Sequence, residues 1–171
     1  DYYQTCGPEV GEIAKLAGFD PDPEQQLVLD QLFAFDRHGD SVAFETAVVA
    51  PRQNLKTAVC KMAALGWLFL TEQRLVVWSA HEFRTAQEAF RDMTELIEST
   101  PDLDREVKAI YRGNGDEAIE LLRGGRLIFK ARTKGGGRGL TGDKVVLDEA
   151  FALRAVHMGS LLPTLAARPD P

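Results

Sequence analysis

Val145-Val146-Leu147-Asp148-Glu149 is a short apolar run, two-thirds β-branched, that ends abruptly in two adjacent acids. Its composition predicts a buried β-strand. Ligands in α/β folds bind where strands end and helices begin, so acids at that point are candidates for chemistry. The first carboxylate of such a pair can hold Mg²⁺, and the second can polarise an attacking water. The competing reading is plain: Asp148 caps the helix expected to follow.

A second stretch bears on the same question. Phe44 to Val49 is apolar and β-branched and reads as a buried strand. It leads into Ala50-Pro51-Arg52-Gln53-Asn54-Leu55-Lys56-Thr57, after which a mostly apolar helix is expected from about Leu55 to Thr71. A phosphate-binding loop needs backbone N–H groups around the phosphates, a helix N-terminus aimed at them and a Lys to offset their charge. A following Ser or Thr hydroxyl binds Mg²⁺. Lys56 and Thr57 stand in the right order, but Ala50 and Leu55 occupy the places of the two usual glycines. Alone, the pair could simply open a helix. Together, the two stretches predict a nucleotide site built on two strand ends.

The rest of the chain is consistent with an α/β architecture. Asp22-Pro23-Glu24 reads as a helix start, with a helix running to about Asp36. Leu75 to Trp78 is a second strand, and Thr85 to Glu98 an amphipathic helix closed by Pro101. Val107 to Tyr111, Ala118 to Leu122 and Leu127 to Phe129 are short strands, with turns at Gly113-Asn114-Gly115 and Gly124-Gly125. A basic, glycine-rich loop, Arg132 to Gly139, precedes the Val145 strand, and Ala150 to Ala167 reads as helix interrupted near Pro163. The expected fold is α/β and three-layered, with a central, mainly parallel sheet, helices on both faces and a β-hairpin insertion around Val107 to Phe129. Residues 1–20 are read as an N-terminal segment and 21–171 as the nucleotide-binding domain, incomplete at its C-terminal end.

Composition narrows the function classes. The chain has 171 residues, 44% hydrophobic and 27% charged, with a net charge of −6, so a dedicated basic DNA-binding module is disfavoured. Cys6 and Cys60 are the only cysteines and are expected to be free thiols. The longest apolar run, Met62 to Leu70, is too short to cross a bilayer, and Asp1 to Val10 lacks the features of a signal peptide. His81 and His157 are expected to be packed or surface residues rather than ligands.

At this point the chain resembles the large subunit of tailed-phage terminases. Pro51 to Thr57 is similar to that family's deviant Walker A, which carries an Arg inside the loop and often lacks the first glycine; Leu55 departs from its second. Val145 to Ala150 is similar to its Walker B with the adjoining catalytic Glu. Ser79-Ala80-His81, Arg138 to Asp143 and Leu161 to Pro169 resemble further family stretches. The resemblance covers roughly Pro21 to Pro171. It implies a P-loop ATPase of the additional-strand type, with ATP and Mg²⁺, that drives double-stranded DNA into a procapsid. Under it, Pro51, Arg52, Gln53, Asn54, Leu55, Lys56 and Thr57 surround the nucleotide, and Gln25 reads the adenine, with Gln26 one residue away. Arg52 senses the γ-phosphate, Thr57 and Asp148 hold Mg²⁺, and Glu149 activates water. Arg138 is the candidate for an arginine acting on a neighbouring subunit's ATP, with Lys134 and Arg132 as alternatives in the same loop. The implied partners are DNA, the portal and procapsid, the small terminase subunit and further copies of the chain in a ring, with a monomer in isolation. The implied location is the host cytoplasm, without a membrane. The family's nuclease domain would lie downstream. Two rivals stay open: a helicase-like ATPase, and a non-hydrolysing assembly module with a degenerate phosphate loop.

Overall fold

The structure is a computed structural model that describes residues 2–49, 56–71, 73–113, 115–132, 141–153 and 155–166. The side chains of Val156, Ser160 and Thr164 lie outside that description.

The chain opens with a short strand β1 (Gln4–Thr5) and helix α1 (Gly7–Leu16), then α2 (Pro23–Leu32) and β2 (Ala34–Phe35). The start of α2 follows from local chemistry. Asp22 accepts from the Gln25 N–H at 2.8 Å, and the Gln25 side chain accepts from the Asp22 N–H at 2.9 Å. This reciprocal box satisfies two N–H groups that a helix terminus leaves open. The helix stops at Leu32, short of the expected Asp36, because Ala34 and Phe35 turn away to pair antiparallel with β1. The α1–α2 contact needs a glycine: a Cβ on Gly7 would sit 2.5 Å from Asp30 Cα.

Helix α3 (Lys56–Leu65) runs on as one widened π-helical segment, Gly66–Leu70. Val59, Met62 and Ala63 of α3 pack against Val10, Ala14, Leu29 and Phe33 of the first two helices, forming one core cluster. Then come β3 (Leu75–Ala80), α4 (Phe83–Glu98), the short α5 (Pro101–Asp104), β4 (Val107–Tyr111), β5 (Ala118–Leu121), β6 (Arg126–Ala131), β7 (Lys144–Leu147) and α6 (Ala155–Leu165).

The main sheet has the order β4-β5-β6-β3-β7. Its pairings divide evenly: β6–β3 and β3–β7 are parallel, whereas β4–β5 and β5–β6 are antiparallel. The sheet is therefore mixed rather than mainly parallel. The expected hairpin insertion is also part of the sheet itself. Its last strand, β6, aligns with β3 from Leu75↔Arg126 to Ala80↔Ala131, so β4 and β5 extend the same surface. Gly115 (φ 91°) and Gly124 (φ 92°) make the tight turns that allow this.

Alternation along the strands sends side chains to two faces. Val76, Trp78, Leu127, Phe129 and Val146 pack on one side against Phe90, Met93 and Ile97 of α4 and the end of α3. Val77, Ile128, Val145 and Leu147 face α6 through Leu161, Met158 and Leu165. Helices thus cover both faces, as a three-layer α/β fold requires.

Two expectations fail in this part of the chain. Phe44 to Val49 forms no strand, and it is open to solvent, with Phe44 49% and Val49 95% exposed. β-Propensity describes how a residue fits a pleated, partnered surface, and among the described residues β7 pairs only with β3. The expected break near Pro163 is also absent, since α6 continues through that residue. The interruption lies earlier, where a 3₁₀ turn at Ala150–Ala152 gives way to extended backbone at Leu153 (φ −66°, ψ 138°). Pro163 has no N–H to donate to the Gly159 carbonyl four residues earlier, so α6 carries it at the cost of one intrahelical bond without ending there.

Candidate functional site

The parallel half of the sheet carries the site. Strand β7 forms as expected, one residue longer at its start. Its start is clamped to β3: Asp143 accepts from the Leu75 N–H through its carboxylate at 2.8 Å, and its own N–H donates to Leu75 O at 2.7 Å. Lys144, almost fully buried, reaches the hydroxyl of Ser41 at 3.1 Å. These contacts set the strand so that Asp148 and Glu149 leave the sheet beside the end of β3. The Asp148 N–H donates to Ser79 O at 2.9 Å, extending the β3–β7 ladder by one bond.

Glu149 is the most constrained residue of the site. Its backbone is left-handed (φ 53°, ψ 49°), and no other non-glycine among the described residues has a positive φ. Such a conformation costs about 1–3 kcal/mol and persists only where its surroundings impose it. The Glu149 N–H donates to the Asp148 carboxylate at 2.9 Å. One oxygen of the Glu149 carboxylate, Oε2, is buried without a hydrogen-bond partner. An unpartnered buried carboxylate oxygen is costly and calls for an explanation beyond packing. The Asp148-as-cap reading receives no support, since the turn that follows carries no side-chain cap bond and has Glu149 at its start.

Lys56 and Thr57 occupy the first turn of α3, both exposed. One turn on, Cys60 is half-buried and feels the charge of Asp148. Burial first, and that negative charge second, push its thiol up to about 12. Cys60, one turn into α3, thus lies within electrostatic range of Asp148 at the end of β7. Pro51, Arg52, Gln53, Asn54 and Leu55 lie outside the described residues, as do Lys134 and Arg138. Gln25 is engaged in the α2 capping box through its side-chain oxygen, and Gln26 donates to Asp30 at 2.7 Å.

The residue that sequence reasoning misplaced is Arg132. It is 7% exposed, although the sequence places it at the start of a basic, glycine-rich loop. Its guanidinium donates to Ser79 O at 2.7 Å, to Glu149 O at 3.1 Å and to Asp148 O. Desolvation lowers its pKa, and the nearby charges of Asp148 and Glu149 oppose that shift. No sequence signal marks it, because only the strand order brings the end of β6 across β3 to the end of β7.

Cys6 and Cys60 are free thiols, as expected. His81 is exposed and His157 buried, and among the described residues no group of three or more His, Cys, Asp or Glu is placed to hold a metal. A cleft runs along α4 from Gln87 to Ser99, with Arg112 and Glu117 on its other wall, and none of the candidate site residues lines it. Among the described residues no helix is long and apolar enough to cross a membrane.

No protein-family model matches the chain. No curated protein matches it either. Among solved structures it is similar to the large terminase of HK97 bacteriophage, with a TM-score of 0.79 and 17% sequence identity. The match covers 98% of this chain but 36% of that one, so the chain spans little more than a third of the terminase's length. The likeness to terminases first suggested by short motifs thus holds for the backbone as a whole: this chain has the fold seen in part of a phage large terminase.

Proposed function

We propose that the chain is the ATP-hydrolysing part of a DNA-packaging motor, an ATPase of the P-loop, additional-strand type. The observation that carries this reading is Glu149: a left-handed, non-glycine residue with a buried, unpartnered carboxylate oxygen, directly after Asp148 at the C-terminal end of a parallel strand. A strained acid poised at a strand end is suited to a general base and unsuited to a purely structural role. The likeness in fold to a phage large terminase supplies the setting.

In this reading Lys56 offsets phosphate charge at the first turn of α3, with residues 51–55 around the phosphates and Gln25 near the base. Thr57 and Asp148 would hold Mg²⁺. Two protein oxygens suffice, because Mg²⁺ is usually held by one or two carboxylates with water and substrate phosphates completing its shell. Bound there, the ion would supply charge neutralisation at the phosphates. Glu149 takes the proton of the attacking water on its carboxylate. Partners would be double-stranded DNA, the portal and procapsid, the small terminase subunit and further copies of this chain in a ring.

One observation favours the rival, non-hydrolysing reading: Phe44 to Val49 does not join the sheet, so the strand expected to lead into the phosphate loop is missing from its place. Phosphate release from Mg²⁺-ATP separates the two. The wild-type chain should hydrolyse ATP, and Lys56→Ala should lose at least about 10²-fold in turnover while weakening nucleotide binding. Equal release by Lys56→Ala and wild type would remove the proposal, and absence of release from both would favour the assembly module.

A further inference from the structure

We propose that Arg132 is a positioning residue that holds Asp148 and Glu149 in their working geometry from two strands away, a role that rests on the ATPase reading above. Strand β6 does not touch β7; β3 lies between them. Adjacent strands are roughly 4.8 Å apart, so a side chain from the end of β6 must cross nearly 10 Å to reach the end of β7. Arg132 makes that crossing. Its own N–H continues the β6–β3 ladder by donating to Ala80 O at 2.8 Å. Its guanidinium then takes Ser79 O on the intervening strand, and Asp148 O and Glu149 O beyond it.

The chemistry of the three acceptors explains why the residue is Arg. They are backbone carbonyls that converge at the ends of the parallel strands β3 and β7, and one planar cation bridges them. A guanidinium presents several N–H groups in a fixed fork, whereas an ammonium is a compact point charge that cannot span carbonyls on two strands. Ser79 O is shared between Arg132 and the Asp148 N–H, and Glu149 O between Arg132 and the Ala152 N–H. The cation thus braces both the bond that docks Asp148 and the bond that closes the turn after Glu149. The left-handed backbone of Glu149 lies between those two braces. Without Arg132 the Glu149 carbonyl loses an anchor, the backbone can relax toward a right-handed conformation, and the carboxylate leaves its position. A displacement of about 1 Å can cost roughly 10²-fold in rate.

The test uses the whole chain with Arg132→Gln and Arg132→Lys, and Leu103→Ala as a control that loses buried apolar contacts far from the site. Amide hydrogen exchange without nucleotide is the first readout. Exchange at Asp148 and Ala152 should quicken by at least about tenfold in both Arg132 variants, with Val76 to Trp78 unchanged, as expected for a local opening. ATP turnover is the second. In the Arg132 variants kcat should fall about 10²-fold while KM for Mg²⁺-ATP stays within about threefold, the pattern of a lost transition-state geometry. Leu103→Ala should lose thermal stability and keep kcat. If Arg132→Gln does not fold, Arg132→Lys supplies both readouts. Unchanged exchange at Asp148 and Ala152 would overturn the proposal, and so would full turnover by Arg132→Lys or an equal kcat loss in Leu103→Ala. A wild-type chain that hydrolyses no ATP would sink the ATPase reading instead, and the exchange experiment would still decide whether Arg132 holds the acid pair.

Discussion

At the scale of single residues the site rests on an acid that the rest of the molecule keeps in an unfavourable state. Glu149 combines backbone strain with a buried carboxylate oxygen that has no partner. Replacing that carboxylate by an amide removes the proton acceptor and keeps the shape of the side chain. Glu149→Gln should therefore keep nucleotide binding, lose at least about 10²-fold in turnover, and melt no lower than wild type, because the net cost of the buried group is relieved. Asp148→Asn should differ in one respect: Mg²⁺-dependent nucleotide binding should weaken as well. Titrations with and without Mg²⁺, beside melting curves, read both effects. A Glu149→Gln variant that turned over ATP normally would mean that the strain serves packing alone. The adjacency of the two acids is visible in the sequence, but the left-handed backbone is not, since nothing about a Glu favours positive φ.

Among elements, α3 joins the two halves of the site. Lys56 opens it, Cys60 lies one turn further on near Asp148, and Lys61 pairs with Asp92 of α4 at 2.7 Å. Cys60 reports on this junction through pH. Its pKa of about 12 in the folded chain lies above the ordinary value of 9.0, so the folded state keeps a proton that the unfolded state gives up. Stability from this group is fully present below about pH 9 and is lost as pH rises toward 12. With allowance for partial exposure, the loss should be on the order of 2 kcal/mol. Comparing wild type with Cys60→Ala isolates it, because other alkaline titrations cancel. The stability difference between the two should shrink steadily above about pH 9; a difference independent of pH would mean that the Cys60 thiol is not desolvated in the folded chain. The helix itself is legible from its apolar run, whereas its partner at the end of β7 is more than eighty positions away along the chain.

For the molecule as a whole, the open question is how many copies make one working site. Arg138 lies outside the described residues and remains the proposed donor to a neighbouring subunit. Arg132, the alternative in the same loop, is buried against its own chain's carbonyls. If Arg138 serves in trans, turnover per chain should rise steeply with protein concentration, and Arg138→Ala should lower assembled turnover by roughly 10³-fold. Mixing provides the sharper measurement. Arg138→Ala combined with Glu149→Gln should regain activity that neither has alone, because the intact Arg138 of the second can serve the intact acid pair of the first. Mixtures no more active than their separate components would place the completing charge elsewhere.

The sequence by itself determined those features that depend on neighbours in the chain. The α2 start follows from Asp22, Pro23 and Gln25, the hairpin turns from Gly115 and Gly124, and β7 and its acids from a short β-branched run ending in charge. Motif likeness also pointed to the fold later matched by a phage large terminase. Tertiary structure alone decided the features that depend on partners distant in the chain. Phe44 to Val49 has the composition of a strand but pairs with none of the described residues, and the antiparallel strands β4 and β5 joined the main sheet because β6 could align with β3. Arg132 became part of the site because the order β6-β3-β7 places three carbonyls within reach of its guanidinium. Local propensity acts over a few residues, whereas a strand's pairing and a buried cation's acceptors are set by which segments the packed core brings side by side.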